Sequence, residues 1–266
     1  MSPIAYYGGK HWMLKHLLAL IPPHRIYVEV FGGAAHLLFA KPQSEIEVYN
    51  DIDENVVNFF RVLRDPEKSR RLQELLRFTP YSRKEFYFCR DNLNETGIDD
   101  VERARRFFVI NRQSFNADPF QTGWAWDTSR HRAKTVASIV DRLHVFAERL
   151  RTVQIECDDF EKIIRRYDSP DTFFYCDPPY ILTTLRRNPP YSMSEDDHRR
   201  LVRVLLTIRG KALLSGYDHE IYRPLERAGW HKKRVRRMLS AANPHHTGPR
   251  RRYQYEYLWF NYDPSQ

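Results

Sequence analysis

Short apolar runs, rich in β-branched and aromatic residues, alternate with stretches of helical periodicity, and this alternation restricts the fold of the 266-residue chain more than any other feature. Strands separated by helices are typical of a parallel sheet. The last two runs flank a loop rich in Pro, His, Gly and Arg, so they predict an antiparallel pair. Strands are predicted at residues 26–31, 46–49, 153–156, 172–176, 212–215, 230–238 and 253–260.

The interval between the second and third predicted strands is too long for a simple crossover. It runs from Asp53 to Thr152 and is mostly helical in pattern. We therefore expect an α/β domain formed by residues 1–59 and 136–266, with a helical subdomain of residues 60–135 inserted into it. Helices are predicted at residues 10–21, 56–63, 134–150, 160–167 and 195–208.

Glycine or acidic residues follow four of the predicted strands: Gly32-Gly33, Asp51, Asp159 and Asp177. Ligands of open α/β sheets bind beyond the carboxyl ends of the strands, so we expect these residues to face one crevice. The glycine pair would let a ligand approach the backbone closely. The offset from Gly32 to Asp51 is typical of an acidic residue that binds a ribose hydroxyl, although Asp51 could also cap the following helix.

The four residues Asp177-Pro178-Pro179-Tyr180 follow an apolar strand directly. Two prolines remove two N–H donors and stiffen the turn, which leaves carbonyl oxygens able to accept hydrogen bonds. A carboxylate beside such a carbonyl forms a pair of acceptors that matches the two hydrogens of a nucleobase amine. Tyr180 adds a flat face on which a base can stack.

These motifs, in this order, resemble those of the Dam-like (alpha-group) N6-adenine-specific DNA methyltransferases. Tyr7 and Ala35 stand where that family usually has Pro and Gly. The matching segments are Tyr6-Tyr7-Gly8-Gly9-Lys10, Phe31-Gly32-Gly33-Ala34-Ala35, Asn50-Asp51, Asn111-Arg112-Gln113-Ser114-Phe115-Asn116, Asp159-Phe160 and Asp177-Pro178-Pro179-Tyr180.

The resemblance implies a Rossmann-like methyltransferase fold that depends on S-adenosyl-L-methionine. It implies a mostly parallel seven-stranded sheet with a terminal antiparallel strand, in which residues 1–59 and 136–266 form the catalytic domain and residues 60–135 a target-recognition subdomain. The implied product is S-adenosyl-L-homocysteine, and no metal is required. The residues implied to bind the cofactor are Tyr6, Tyr7, Gly9, Lys10, Phe31, Gly32, Gly33, Asp51, Asp159, Phe160 and Asp177.

The implied reaction places a methyl group on the exocyclic N6 of adenine in double-stranded DNA. The base must be flipped out, because its amine cannot meet a bulky sulfonium inside the stack. Asp177 and the Pro178 carbonyl would accept the two amine hydrogens, and Tyr180 would stack on the base. Transfer would be direct and in line, without a covalent enzyme intermediate.

A net charge of +9 indicates a polyanionic partner, which for this family is double-stranded DNA. The basic runs at 232–237 and 250–252 are further candidates for phosphate contacts. The resemblance implies that Asn111, Arg112, Ser114 and Asn116 approach DNA. The irregular stretches 111–132 and 181–194 are predicted to lie near the active face, and their candidates for phosphate contacts are Arg112, Arg130, Arg132, Arg186 and Arg187.

Three alternatives stay open at this point: the same chemistry on adenine in RNA, the same chemistry on cytosine N4, and a non-catalytic DNA-binding protein on a methyltransferase scaffold. Asp177 favours adenine, since cytosine N4 enzymes usually have Ser at that position. A nicotinamide-dependent dehydrogenase is disfavoured, because residues 32–35 depart from the Gly-x-Gly-x-x-Gly motif that binds a pyrophosphate.

The three cysteines are odd in number and have no metal-ligand spacing, which is typical of a reducing compartment. No apolar run is long enough to span a membrane, and the first residues do not have the pattern of a signal peptide. We therefore expect a cytoplasmic protein that is a monomer in solution.

Overall fold

The computed structural model describes residues 2–5, 10–115, 123–128, 131–181, 192–238 and 253–264. Within these residues seven strands form one sheet in the order β3-β2-β1-β4-β5-β7-β6. The last strand of the chain, β7, is antiparallel to both of its neighbours, whereas β1 is parallel to β4, β2 to β3 and β4 to β5. The strands are β1 (Ile26–Glu29), β2 (Ile46–Asn50), β3 (Val153–Glu156), β4 (Thr172–Cys176), β5 (Lys211–Gly216), β6 (His231–Met238) and β7 (Tyr253–Phe260).

This sheet confirms the predicted fold class, including the terminal antiparallel strand. β3, β4 and β7 have the predicted bounds, and the other strands differ from prediction only at their ends. The described helices are α1 (Leu14–Leu18), α2 (His36–Ala40), α3 (Glu54–Arg64), α4 (Pro66–Phe78), α5 (Arg83–Asp91), α6 (Asp100–Gln113), α7 (Arg132–Asp141), α8 (Leu143–Leu150), α9 (Phe160–Tyr167), α10 (Glu195–Leu205) and α11 (Arg223–Arg227).

The first of two compact units comprises residues 1–11 and 32–158, and it contains β2, β3 and helices α2 to α8. Side chains placed before its long helices accept hydrogen bonds from the first turn, as Asp53 does for α3, Asp65 for α4 and Asp99 for α6. The core is aromatic where α3 meets α6, since the rings of Phe59 and Phe108 lie 6.0 Å apart. The predicted boundary between residues 59 and 60 falls within α3, and the division into domains stays a prediction.

The second compact unit comprises residues 12–31 and 159–266, with β1, β4 to β7, α1 and α9 to α11. All residues of β4 are buried, as parallel strands covered on both faces require. Ser194 begins α10 with a reciprocal capping box to Asp197. Together these features hold the carboxyl ends of β4 and β5 beside one another, because the two strands are paired in parallel.

Two helix predictions are wrong in detail. The stretch 134–150 forms two helices, because the Arg142 amide bonds the carbonyl of Ile139 in a tighter turn at 3.0 Å. This break lets Phe146 of α8 meet Phe39, with ring centroids 5.2 Å apart. The stretch 10–21 is a 3₁₀ turn, Lys10–Met13, followed by the short α1. Among the described helices, none is long and apolar enough to cross a membrane.

Candidate active site

A carboxylate and a tyrosine shape the glycine turn of the first unit. The amide of Gly33 donates to Oδ2 of Asp51 at 2.7 Å, and the Tyr49 hydroxyl donates to the Gly33 carbonyl at 2.7 Å. Gly33 has a φ of +46°, a conformation that favours glycine. The end of β2 therefore determines the course of this turn.

Two neighbouring positions of the turn differ in what they require. A Cβ atom on Gly32 would lie 2.1 Å from the ring of Tyr49, so packing alone demands glycine there. Ala35 adopts a left-handed φ of +52° although it carries a side chain. This conformation costs roughly 1 kcal/mol, and it occurs at the position where the family that the sequence resembles usually has glycine.

The sequence left open whether Asp51 binds a ribose hydroxyl or caps the following helix. Asp53 caps α3, because its side chain accepts from the Asn55 amide at 2.9 Å. Asp51 instead accepts from the amides of Gly33 and Asp53, and it is buried. Burial raises the pKa of Asp51 to about 6, against the opposing effect of these two hydrogen bonds. Each carboxylate oxygen has two lone pairs, so these bonds do not exhaust its capacity to accept.

The ends of β2 and β3 are linked through one side chain. Asn50 donates to the Asp158 carbonyl at 3.1 Å and accepts from the Asp158 amide at 3.0 Å. This pair of bonds satisfies backbone groups at the point where both strands end. It thereby holds the residue before Asp51 in place.

In the second unit, Phe31, Asp159 and Phe160 lie together, and Arg200 of α10 joins them. The guanidinium of Arg200 donates to both carboxylate oxygens of Asp159, at 3.0 and 2.8 Å. Its central carbon lies 4.3 Å from the centroid of the Phe160 ring, and the rings of Phe31 and Phe160 are 5.5 Å apart. Asp159 also caps α9 through the Glu161 amide. The result is an aromatic pair beside a bidentate ion pair.

The turn after β4 presents Asp177 next to the end of β5. Ser215, the penultimate residue of β5, is buried, and its hydroxyl donates to Oδ1 of Asp177 at 2.6 Å. The parallel register, which pairs Cys176 with Leu214, brings these two residues to the same level. Pro178 is buried beneath the turn. Asp177 is thus held by a hydrogen bond on a backbone that two prolines stiffen.

Tyr180 is oriented by residues far along the chain. Its hydroxyl donates to Oε2 of the buried Glu256 at 2.7 Å. Its ring meets that of Tyr217 at 4.6 Å between centroids and an interplanar angle of 66°. Burial raises the pKa of Tyr180 well above its ordinary value, and nearby Asp177 and Glu256 reinforce the shift. The phenol therefore keeps its proton and its hydrogen bond at neutral pH.

Asn111 and Arg112, which were predicted to approach DNA, contact the N-terminal segment within the first unit. The Asn111 side chain accepts from the amide of Ala5 at 2.8 Å and donates to its carbonyl at 2.5 Å. The Arg112 guanidinium donates to the carbonyls of Ser2 and Pro3 at 2.6 and 2.8 Å. Burial lowers the pKa of Arg112 to about 10, which still leaves it charged at neutral pH. Both side chains therefore position the residues that precede the 6–10 motif.

Ser114 and Arg132, two further predicted DNA contacts, have different surroundings. Ser114 is buried and forms an antiparallel bridge with Trp124. Arg132 lines a cleft of about 390 Å³, and its Nε lies 3.5 Å from the carboxylate of Asp127. The neighbouring Trp126 is 58% exposed. The other residues of this cleft are Tyr81, Trp124, His131, Ala133 and Lys134.

Lys10 is buried in the 3₁₀ turn of the first unit. Seven other predicted site residues lie outside the described part of the chain. They are Tyr6, Tyr7, Gly9, Asn116, Arg130, Arg186 and Arg187. Their predicted roles therefore stay predictions.

Four residues that were not predicted support this site: Arg200, Ser215, Tyr217 and Glu256. Ser215 and Tyr217 stand at the end of a predicted strand, the position that singled out Asp51 and Asp177, and the same argument could have found them. Glu256 breaks the apolar character of β7, and a buried carboxylate needs a partner. Arg200 had no signal, because one arginine on an amphipathic helix resembles any surface residue.

The model of the D12 class N6 adenine-specific DNA methyltransferase family matches residues 6–239 of the chain. The chain belongs to this family. The match covers the glycine turn, the helical insertion and the turn at Asp177.

Several relatives of this D12-class chain are named methyltransferases. It is 26% identical over 231 residues to a DNA N-6-adenine-methyltransferase of Escherichia phage P1, covering 80% of the chain but only 30% of that protein. It is 27% identical over 241 residues to the type II methyltransferase M.MjaIII of Methanocaldococcus jannaschii, covering 80% of the chain and 83% of that protein. The type II methyltransferase M1.LlaDCHI of Lactococcus lactis is 31% identical over 189 residues, 65% of the chain and 63% of that protein.

In the described ranges of this D12-class chain, no three His, Cys, Asp or Glu side chains are grouped so that they could hold a metal ion. The predicted independence from metal stays a prediction that requires an assay.

Proposed function

We propose that the chain transfers a methyl group from S-adenosyl-L-methionine to the N6 amine of adenine in double-stranded DNA. The observation that carries this proposal is the position of Asp177, which Ser215 holds on a turn stiffened by two prolines. A fixed acceptor of this kind suits an amine that must be oriented and stabilised as charge develops on it. Membership of an adenine-specific family supports adenine as the acceptor.

Asp51 of the first unit and Phe160 of the second unit have side chains that suit the methyl donor. Asp51 is a buried carboxylate whose raised pKa reflects lost hydration, and hydroxyl donors of a ribose would replace part of that hydration. Phe160 offers an aromatic surface of the kind that adenine packs against, held by Arg200 and Asp159. S-adenosyl-L-methionine, when bound, supplies an electrophilic methyl group on a sulfonium.

Asp177 and the Pro178 carbonyl would each accept one hydrogen of the adenine amine. The nitrogen lone pair of a free adenine is delocalised into the ring, which makes the amine a poor nucleophile. Two acceptors favour a pyramidal nitrogen whose lone pair is available. The Asp177 carboxylate also stabilises the positive charge that develops on this nitrogen, and it does so without reorganisation because Ser215 already holds it.

The target base would have to leave the duplex to reach these acceptors, because its amine is enclosed in the stack. Tyr180 suits the stacking role, since its ring orientation is set by Glu256 and Tyr217 before any base arrives. An aromatic face fixed in advance loses little entropy on binding. Pre-orientation of Tyr180 therefore favours capture of an unstacked base.

The test compares Asp177→Ala with wild type. We expect the variant to retain binding of S-adenosyl-L-methionine and to lose turnover by about 10²–10³-fold or more, because Asp177 stabilises the transition state more than the bound cofactor. Cofactor binding is measured by calorimetry, and methyl transfer by tritium incorporation into unmethylated DNA.

Asp171→Ala is the matched control, since Asp171 lies directly before β4 with a side chain that is 66% exposed. It should keep wild-type turnover. Near-normal methylation by Asp177→Ala would refute the assignment. Methylation mapping of DNA from cells that express wild type then reports base and atom, and methyl groups on cytosine N4 or on RNA would contradict the proposed acceptor.

A further inference from the structure

The two last strands continue beyond the end of β5. The terminal Gly216 of β5 pairs with Tyr257, whereas the pairing of β6 with β7 runs on to Met238 and Tyr253. Four residues of β7, 253–256, therefore extend past β5, over roughly 13 Å at about 3.4 Å per residue. We call this extension of β6 and β7, together with the pair Arg234 and Tyr257 at the level of Gly216, the distal ribbon. It comprises residues 234–238 and 253–257.

One face of the distal ribbon supports the turn at Asp177. Glu256 accepts the hydrogen bond of Tyr180, and Gln254 donates to the hydroxyl of Tyr217. The ribbon extends in the direction in which β5 ends, because decreasing residue numbers of β7 follow increasing numbers of β5. It is thus part of the same edge of the second unit as Asp177.

The opposite face bears alternating cations and aromatic rings. Side chains alternate between the two faces of a strand, so Tyr253 and Tyr255 point away from the side of Glu256. The guanidinium carbon of Arg234 lies 4.7 Å from the ring centroid of Tyr255, and that of Arg236 lies 4.6 Å from that of Tyr253. Both tyrosines are about 40% exposed, at 41% and 40%. The rings hold two guanidinium groups outward at fixed positions.

Within the part of the chain that the structure describes, the two arginines differ from their neighbour Lys232 in their ion pairs. Lys232 forms ion pairs with Asp218 and Glu226, at 2.7 and 2.9 Å. Arg234 and Arg236 are exposed and, within the described residues, form no ion pair. Planar guanidinium groups bind phosphate oxygens in a bidentate manner. An exposed pair of this kind, on a ribbon whose other face supports the turn at Asp177, is complementary to a phosphate backbone.

We infer that the outer face of the distal ribbon is a contact surface for duplex DNA, in which Arg234 and Arg236 bind phosphates that flank the target adenine. The inference rests on the proposed function, since it takes the DNA to be engaged at Asp177. Phosphate contacts of this kind hold the duplex in register without reading its sequence. The tyrosines act as positioning residues for the two arginines.

The experiment measures DNA binding by the full chain with Arg234 and Arg236 both changed to Gln. We expect the KM for DNA to rise about tenfold at near-physiological salt, with cofactor affinity unchanged. The slope of log K against log salt for a short fluorescent duplex should fall in magnitude by about 1.8, since each lost phosphate contact removes about 0.9. Tyr255→Leu should reproduce part of the loss, because Arg234 then lacks its aromatic support.

Arg203→Gln combined with Arg227→Gln is the matched control, since it removes the same charge from α10 and α11 near the amino-terminal ends of β5 and β6. It should leave the slope within about 0.5 of wild type. An equal change in this control, or an unchanged slope in the ribbon variant, would overturn the inference while wild type still methylates DNA. A wild type that methylates no DNA would instead overturn the proposed function on which the inference rests.

Discussion

At the scale of single residues, Asp51 carries a buried carboxylate whose two oxygens already accept backbone hydrogen bonds. Burial raises its pKa to about 6, so at neutral pH the carboxylate is ionised at the expense of lost hydration. A hydroxyl donor that binds there recovers part of that loss. Titration of the Asp51 carboxylate is therefore expected to make cofactor binding depend on pH.

We predict that the affinity for S-adenosyl-L-methionine falls as the pH is lowered through about 6. The sign follows from the raised pKa, because a proton bound below that value removes the negative charge that attracts the ribose hydroxyls. Calorimetric titrations at pH values on both sides of 6 check this.

Asp51→Asn provides the comparison for this pH profile. It should bind the cofactor weakly at every pH and lose the transition near pH 6. A wild-type affinity that stays constant through this range would show that Asp51 does not bind the cofactor.

At the scale of elements, a buried charge cluster joins β2, α2 and α8 in the first unit. Glu47 of β2 accepts from Lys41 at 2.6 Å and from Arg149 at 2.7 Å, and Arg149 also donates to the Leu38 carbonyl at 3.0 Å. Burial alone raises the pKa of Glu47, but the hydrogen bonds from Arg149 and Lys41 outweigh it and lower the pKa. The cluster fixes the strand that ends at Asn50, directly before Asp51.

Glu47→Ala should lower the free energy of unfolding by about 3–5 kcal/mol, because it leaves buried Lys41 without its counter-charge. Urea denaturation at neutral pH measures this loss. The comparison is Glu195→Ala, which removes an ion pair with Arg199 whose side chains are about half exposed. That change should cost less than about 1 kcal/mol, and equal losses in the two variants would contradict the structural role of the cluster.

At the scale of the whole molecule, the net charge of +9 suits a polyanionic partner. The described distribution of that charge is uneven, because many arginines are neutralised by carboxylates. Arg105 and Arg106 of α6, for example, form ion pairs with Glu85, Glu95 and Glu102. Among the described residues, Arg234 and Arg236 of the distal ribbon form no such ion pair, which is why we propose them as phosphate contacts. Net charge alone therefore predicts the class of partner but not the surface that meets it.

A ligand that binds the folded chain but not the unfolded chain should raise the free energy of unfolding. S-adenosyl-L-homocysteine at about 100 times its Kd should add about 2.7 kcal/mol and raise Tm by roughly 5 °C or more. Thermal-shift measurements check this, with NAD as the comparison ligand and EDTA added in parallel. A shift with NAD alone, or one abolished by EDTA, would contradict the predicted cofactor and the predicted independence from metal.

The local pattern of apolar and turn residues was sufficient to predict the strands and the turn that follows β4. β3, β4 and β7 have the predicted bounds, because alternation and turn residues act over a few neighbours. The break between α7 and α8 was not predictable in this way, since both helices have the same apolar spacing. The break depends on the tighter turn at Arg142 and accompanies the contact of Phe146 with Phe39. The periodicity of apolar residues indicates which face of a helix is buried, but it does not indicate where the helix ends.

The sequence by itself determined the order of the strands along the chain, the family and the acidic and proline residues at the carboxyl ends, because each depends on residues adjacent in the chain. Only the tertiary structure decided the partners of these residues: Ser215 for Asp177, Glu256 for Tyr180 and Arg200 for Asp159. It also assigned Asn111 and Arg112 to the N-terminal segment. Such contacts join residues far apart in sequence, and burial and hydrogen-bond satisfaction select them when the strands come together.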